Sequence, residues 1–268
     1  MQIHACTRRQ MIHRIAGTAV AALGASNGLP AWAQPRPAAA DSLLPPGSGE
    51  LAQLMRQLAA TPRVRGFHSV PMTLTRPDQW DSQAMSEVLH YKGSPKMVWH
   101  NTDLGGPWLN LMRLTLNSQI WAFGHPDILL VSVTHGPAGL ALFDQAAWDK
   151  YDFPLLTKGH FKRNIFIDVP PAALAKPVSP QNPVGPFSAK ASSVTVLQRR
   201  GVVFLACHDG IWGLAGLLRK KHHNPQGLSQ PELAADLTNH LIPGVILTPD
   251  VVGELVELEQ AGFLYAHS

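Results

Sequence analysis

Apolar positions along this chain alternate between two periods. Short, nearly continuous apolar runs fall at residues 96–100, 127–133, 202–206 and 245–247, and a last one at 262–266. Runs of that length and density predict strands buried on both faces. Between them the apolar residues recur at helical spacing. Residues 107–123 carry Leu109, Met112, Leu116, Ile120 and Phe123 on one side, with Pro107 in the first turn and Gly124 after the last. Further helices are predicted over 188–200 (stopped by Gly201), 211–220, 232–239 and 249–260. Ahead of the first strand, Leu51, Leu54, Met55 and Leu58 mark a short helix capped by Ser48, and 78–91 reads as a second. Alternating strands and helices predict an α/β fold with a single, mostly parallel sheet flanked by helices on both faces, plus a helical N-terminal extension. Residues 50–94 are that extension, and 95–268 are the α/β domain. A proline-rich insert at 152–188 has no sustained period and reads as a functional loop, an oligomer contact or a disordered excursion.

The first residues do not fit this pattern. Arg8, Arg9 and Arg14 precede a mildly apolar run ending near Leu29, and Ala31-Trp32-Ala33 supplies small residues where a signal peptidase reads. Thr7-Arg8-Arg9-Gln10-Met11-Ile12 resembles the twin-arginine export consensus, with an ordinary Sec signal as the alternative. The expectation is a signal over 1–33, cleaved after Ala33, a flexible linker over 34–49, passage through the twin-arginine translocase, and a periplasmic location. The apolar run is shorter than the roughly 20 residues a stable membrane span needs. The whole chain carries 22 basic and 18 acidic residues. Removing the three signal arginines leaves 19 against 18, too even a balance to suggest nucleic acid as a partner. Of two cysteines, Cys6 leaves with the signal and Cys207 stays alone, so no internal disulfide is open to the mature chain. No GxGxxG or Walker loop occurs, and no cofactor is expected.

Cys207 ends a predicted strand and precedes a predicted helix. Helix N-termini favour a thiolate, and the adjacent His208 would lower the thiol pKa further as an imidazolium. The pair is the candidate catalytic centre. His100, Asn101 and His135 also stand at strand exits, and Asp209 follows His208. In a parallel sheet these ends share one side. The four are candidate substrate-binding residues, and a Cys/His metal site is a weaker alternative because no CxxC or HxxxH spacing occurs.

Three stretches resemble the DsrE-like family of sulfur-relay proteins. They are Val98-Trp99-His100-Asn101-Thr102-Asp103, the exit Val131-Ser132-Val133-Thr134-His135-Gly136-Pro137, and the block from Gly201 through Cys207 to Leu241-Ile242-Pro243-Gly244, Gly253-Glu254-Leu255 and Gly262-Phe263-Leu264-Tyr265. The resemblance implies a compact α/β domain assembling as a trimer or hexamer, and a cysteine, here Cys207, that carries sulfane sulfur as a persulfide. A lone cysteine would then need a thiol or sulfur-transfer partner to release it. A binding or scaffold protein with an inert cysteine is the alternative function.

Overall fold

A computed structural model describes residues 42–268; the expected export signal, its expected cleavage point and the expected linker up to residue 41 lie outside the described residues. Five strands form one sheet: β1 (Lys96–Asn101), β2 (Leu129–Thr134), β3 (Val203–Cys207), β4 (Ile246–Thr248) and β5 (Leu264–His267). All pairs are parallel, in the order β4-β3-β2-β1-β5. The fold is the α/β class that the alternating pattern predicts.

The helices are α1 (Gly49–Ala60), α2 (Ser82–Leu89), α3 (Trp108–Asn117), α4 (Gln145–Lys150), α5 (Phe153–Leu156), α6 (Val194–Arg199), α7 (His208–Lys220), α8 (Gln230–Asn239) and α9 (Val251–Gln260). Strands β1 to β4 advance across the sheet in one direction. Crossovers between parallel strands are right-handed, so all three connections fall on one face. There α3, α6, α7 and α8 bury Trp108, Met112, Leu197, Ile211, Leu218 and Leu233 against Leu130, Phe204, Ala206 and Leu247. The connection from β4 to β5 runs back across the whole sheet, which puts α9 on the other face. α1 and α2 complete that second layer, burying Leu51, Leu54, Met85 and Val88 with Val131, Val203, Leu205 and Ile246. The segment expected as an extension thus supplies two of the three helices covering this face.

Local sequence sets the joins. α6 ends at Gly201, whose φ of +88° is a conformation that favours glycine, and a Cβ there would lie 2.8 Å from Leu51 Cδ2. α1 therefore packs against the entrance to β3. The described end of the linker is not loose: Leu43 is buried and its amide donates to the Arg199 carbonyl. Ser48 does not cap α1 with its side chain; its hydroxyl donates to the Pro45 carbonyl at 2.6 Å.

The proline-rich insert is folded rather than an excursion. It holds α5 and two 3-10 turns, and it buries Ala172, Ala173 and Phe187 with Leu43, Ala191 and Val196. Asn164 anchors it, donating to the carbonyls of Ala141 and Phe143 at 3.1 and 2.7 Å. Prolines forbid a sustained helix there but suit the first positions of short turns. No helix among the described residues is long and apolar enough to cross a membrane.

Candidate functional site

The topology creates one distinctive crevice. β3 feeds α7 on the first face, and its neighbour β4 feeds α9 on the second. Where adjacent parallel strands send their helices to opposite faces, their carboxyl ends open a cleft in which α/β proteins commonly bind ligands. Cys207 is the last residue of β3 and the N-cap of α7, and Asp250 is the N-cap of α9. The thiol sits between the two helix N-termini. Its Sγ accepts the Gly210 amide at 3.2 Å and lies 3.7 Å from Asp250 Oδ1. Asp250 in turn accepts the amides of Val252 and Gly253 at 3.1 and 3.0 Å. The Asp209 amide donates to the Pro249 carbonyl at 3.2 Å, tying the two strand exits together.

The charge balance around the sulfur differs from the sequence expectation. The amides of Val251 and Gly210 do favour the thiolate, as helix N-termini should. Burial outweighs them, with smaller contributions from the Asp250 and Asp209 carboxylates, and the thiol pKa is raised, not lowered. His208 gives no help. It is fully buried, its Nε2 donates to the Pro71 carbonyl at 2.8 Å, and Nδ1 has no partner among the described residues. Burial pushes its pKa down, so the ring is neutral at pH 7 and cannot act as the expected imidazolium.

The remaining predicted residues divide into two groups. Asp209 is exposed beside the thiol. His100, Asn101 and His135 gather at the ends of β1 and β2. Nε2 of His100 and Nε2 of His135 are 2.7 Å apart, and His100 Nδ1 lies 2.9 Å from the Tyr265 hydroxyl. One imidazole must donate to the other, so the pair holds together only when at least one ring is neutral. Burial, then the neighbouring His135 and His267, pushes His100 down. These rings face each other rather than offering two positive charges to a donor anion. Asn101 is not available to a substrate at all. It is fully buried, donates to Ser132 Oγ at 2.8 Å, and accepts the Ser268 hydroxyl at 2.9 Å.

His135 does approach the cysteine. Thr134 pairs with Ala206 in the sheet, so His135 and Cys207 follow at neighbouring strand exits. Both line a small pocket of about 60 Å³, walled by Leu140, Phe143, Ile211 and Leu241. The Cys207 side chain itself belongs to the opposite core layer, toward α9. Among the described residues no group of three or more His, Cys, Asp or Glu side chains is placed to hold a metal ion.

Sequence reading missed Asp250, Ser132 and Tyr265. Asp250 was signalled by Thr-Pro-Asp ahead of an apolar helical run, a capping pattern. Ser132 sits inside an otherwise apolar strand, where a hydroxyl needs a partner. Tyr265 carried no signal, because its neighbour His100 is on a strand far away in sequence. No protein-family model matches this chain, and no curated protein matches it either.

Proposed function

We propose that the protein is a sulfur acceptor of the DsrE-like kind, in which Cys207 takes sulfane sulfur as a persulfide. One observation carries this reading: the lone thiol sits where β3 and β4 send their helices to opposite faces, between the amide-bearing ends of α7 and α9. With thiosulfate as donor, Sγ bonds to the outer sulfur and the donor's S–S bond breaks. The bond's electron pair and the thiol proton leave together as bisulfite, and the protein-bound persulfide is left as an anion. The amides of Gly210 and Val251 favour negative charge on the cysteine sulfur, and the two helix N-termini they belong to favour an anion in the same crevice. The resting thiol is protonated, so reaction waits for local opening or for a donor that enters the cleft. With no second cysteine in the mature chain, the sulfur leaves to a thiol or a partner protein. The twin-arginine-like residues 7–12 and the small residues before Gln34 place this activity, in our reading, in the periplasm. The family resemblance adds a homo-trimer or hexamer.

Cyanide converts a persulfide to thiocyanate and free thiol. The proposal expects about one cyanide-labile sulfur per chain after polysulfide or thiosulfate treatment, by the one-cysteine stoichiometry, and none in Cys207→Ser. Equal labile sulfur in both proteins would sink it. The burial and raised pKa of the thiol favour the second reading, a scaffold with an inert cysteine. Under that reading neither donor loads the wild type.

A further inference from the structure

The far end of β3 holds a different anomaly. Arg200 caps the C-terminus of α6, just before the turn into β3, and is 1% exposed. Its Nη2 donates to Asn117 Oδ1 at 2.8 Å. Its Nε and Nη1 are buried and have no partner among the described residues. The guanidinium lies 5.6 Å from the Trp121 ring centre and 5.0 Å from that of Phe187. Those rings favour its charge but accept no N–H bond in its plane. A second guanidinium stands nearby. Arg113 is also buried and donates only to neutral acceptors, the Phe187 carbonyl at 3.0 Å and Asn110 Oδ1 at 2.9 and 3.0 Å. No carboxylate pairs with either arginine among the described residues. Burial, then the Arg113 charge, pulls the Arg200 pKa down to about 9, which still leaves it protonated at neutral pH.

Two buried cations without a counter-charge are costly, and the unmet N–H donors add to that cost. Planar guanidinium donors match oxyanions in geometry and charge. We propose that Arg200 and Arg113 form a binding site for a small oxyanion, of the phosphate, sulfate or carboxylate class, beneath Trp121. Trp121 is 37% exposed and is the outer wall, whereas Phe187 is buried. The site is separate from the thiol, because the five residues of β3 span about 17 Å at a strand's rise per residue. The ligand is a dissolved ion of that class.

The test is thermal unfolding of the full chain in 0–10 mM phosphate at constant ionic strength, with chloride as the balancing anion. A dissolved ligand gives wild type a saturable rise of about 4 °C or more. Arg200→Met abolishes the rise, and Arg113→Gln shifts its midpoint at least tenfold to higher phosphate. Arg113→Gln reports even if Arg200→Met fails to fold. The proposal is overturned if wild type shows no saturable rise. It is equally overturned if Arg200→Met and Arg113→Gln respond to phosphate as wild type does.

Discussion

Asp81 holds the open side of β4, and removing its carboxylate should be one of the most damaging single changes in the domain. The side chain is completely buried, and its partner Arg65 is 4% exposed. Its two oxygens accept the Val64 amide at 2.7 Å, the Leu247 amide at 2.7 Å and Arg65 Nη1 at 3.0 Å. Its own amide donates to the Leu247 carbonyl at 3.1 Å, so Asp81 pairs with the outer edge of β4 much as another strand would. Arg65 extends the clamp by donating to the Val245 carbonyl at 3.0 Å. Asp81→Ala strands a buried guanidinium, the buried Leu247 amide and the part-buried Val64 amide. Breaking a buried ion pair costs about 3–5 kcal/mol. Urea unfolding of the full chain should show that loss as a lower midpoint with an unchanged slope. Asp81→Asn keeps one acceptor oxygen and should lose less. Arg65→Met combined with Asp81→Leu should cost less than the two single changes added together, because no lone charge remains. β4 also leads into Asp250, so native-state alkylation of Cys207 should speed up in Asp81→Ala as the crevice opens more often. A loss under about 1 kcal/mol, the level of a surface pair, would refute the clamp.

Three further outcomes follow from the charges around the site. Asp250→Asn removes a carboxylate that opposes the thiolate, so it should lower the Cys207 pKa and raise the alkylation rate at pH 7 severalfold; an unchanged rate–pH profile would contradict the assigned cause. His100 and His208 both have folded pKa values below the unfolded 6.5, so the unfolded chain takes up protons first. Stability should be flat above that pH and fall below it, by at most about 1.4 kcal/mol per pH unit for each group, and His208→Gln should flatten the fall. Glu254 is opposite in sign: burial and its neighbours Glu257 and Asp250 push its pKa from 4.5 up to about 7. Its contribution is present below pH 4.5 and lost as pH rises through 7, so Glu254→Gln should stabilise the protein at pH 8 by about 1–2 kcal/mol after discounting for solvent screening and leave it unchanged near pH 4.5.

Much of the architecture is legible in the chain because buried parallel strands leave continuous apolar runs. Each of the five predicted strands overlaps an observed one, and Gly124 and Gly201, which mark predicted helix ends, both have positive φ. The position of β5 beside β1 is not legible, since the β4-to-β5 connection passes three strands and no local pattern records that. β5 is also largely exposed, so its residues carry no alternation to orient it. The positions of the candidate residues at strand exits were legible, but the directions of their side chains were not. Every residue of β3 is buried, and a strand covered on both faces does not reveal which face takes Sγ. The same ambiguity hid the turning of His208 toward Pro71, a contact between residues 137 positions apart. Asp81 was invisible for a similar reason, because its partners on β4 lie 166 residues away.

The central claim is that Cys207 accepts sulfur while the domain is folded. Intact mass of the native protein after incubation with polysulfide or thiosulfate addresses it directly. The account predicts a gain of one sulfur atom, about 32 Da by its atomic mass on the persulfide chemistry of cysteine. The gain should be reversed by a reductant and absent in Cys207→Ser. No gain from either donor, together with a thiol that resists alkylation until the chain is unfolded, would contradict it.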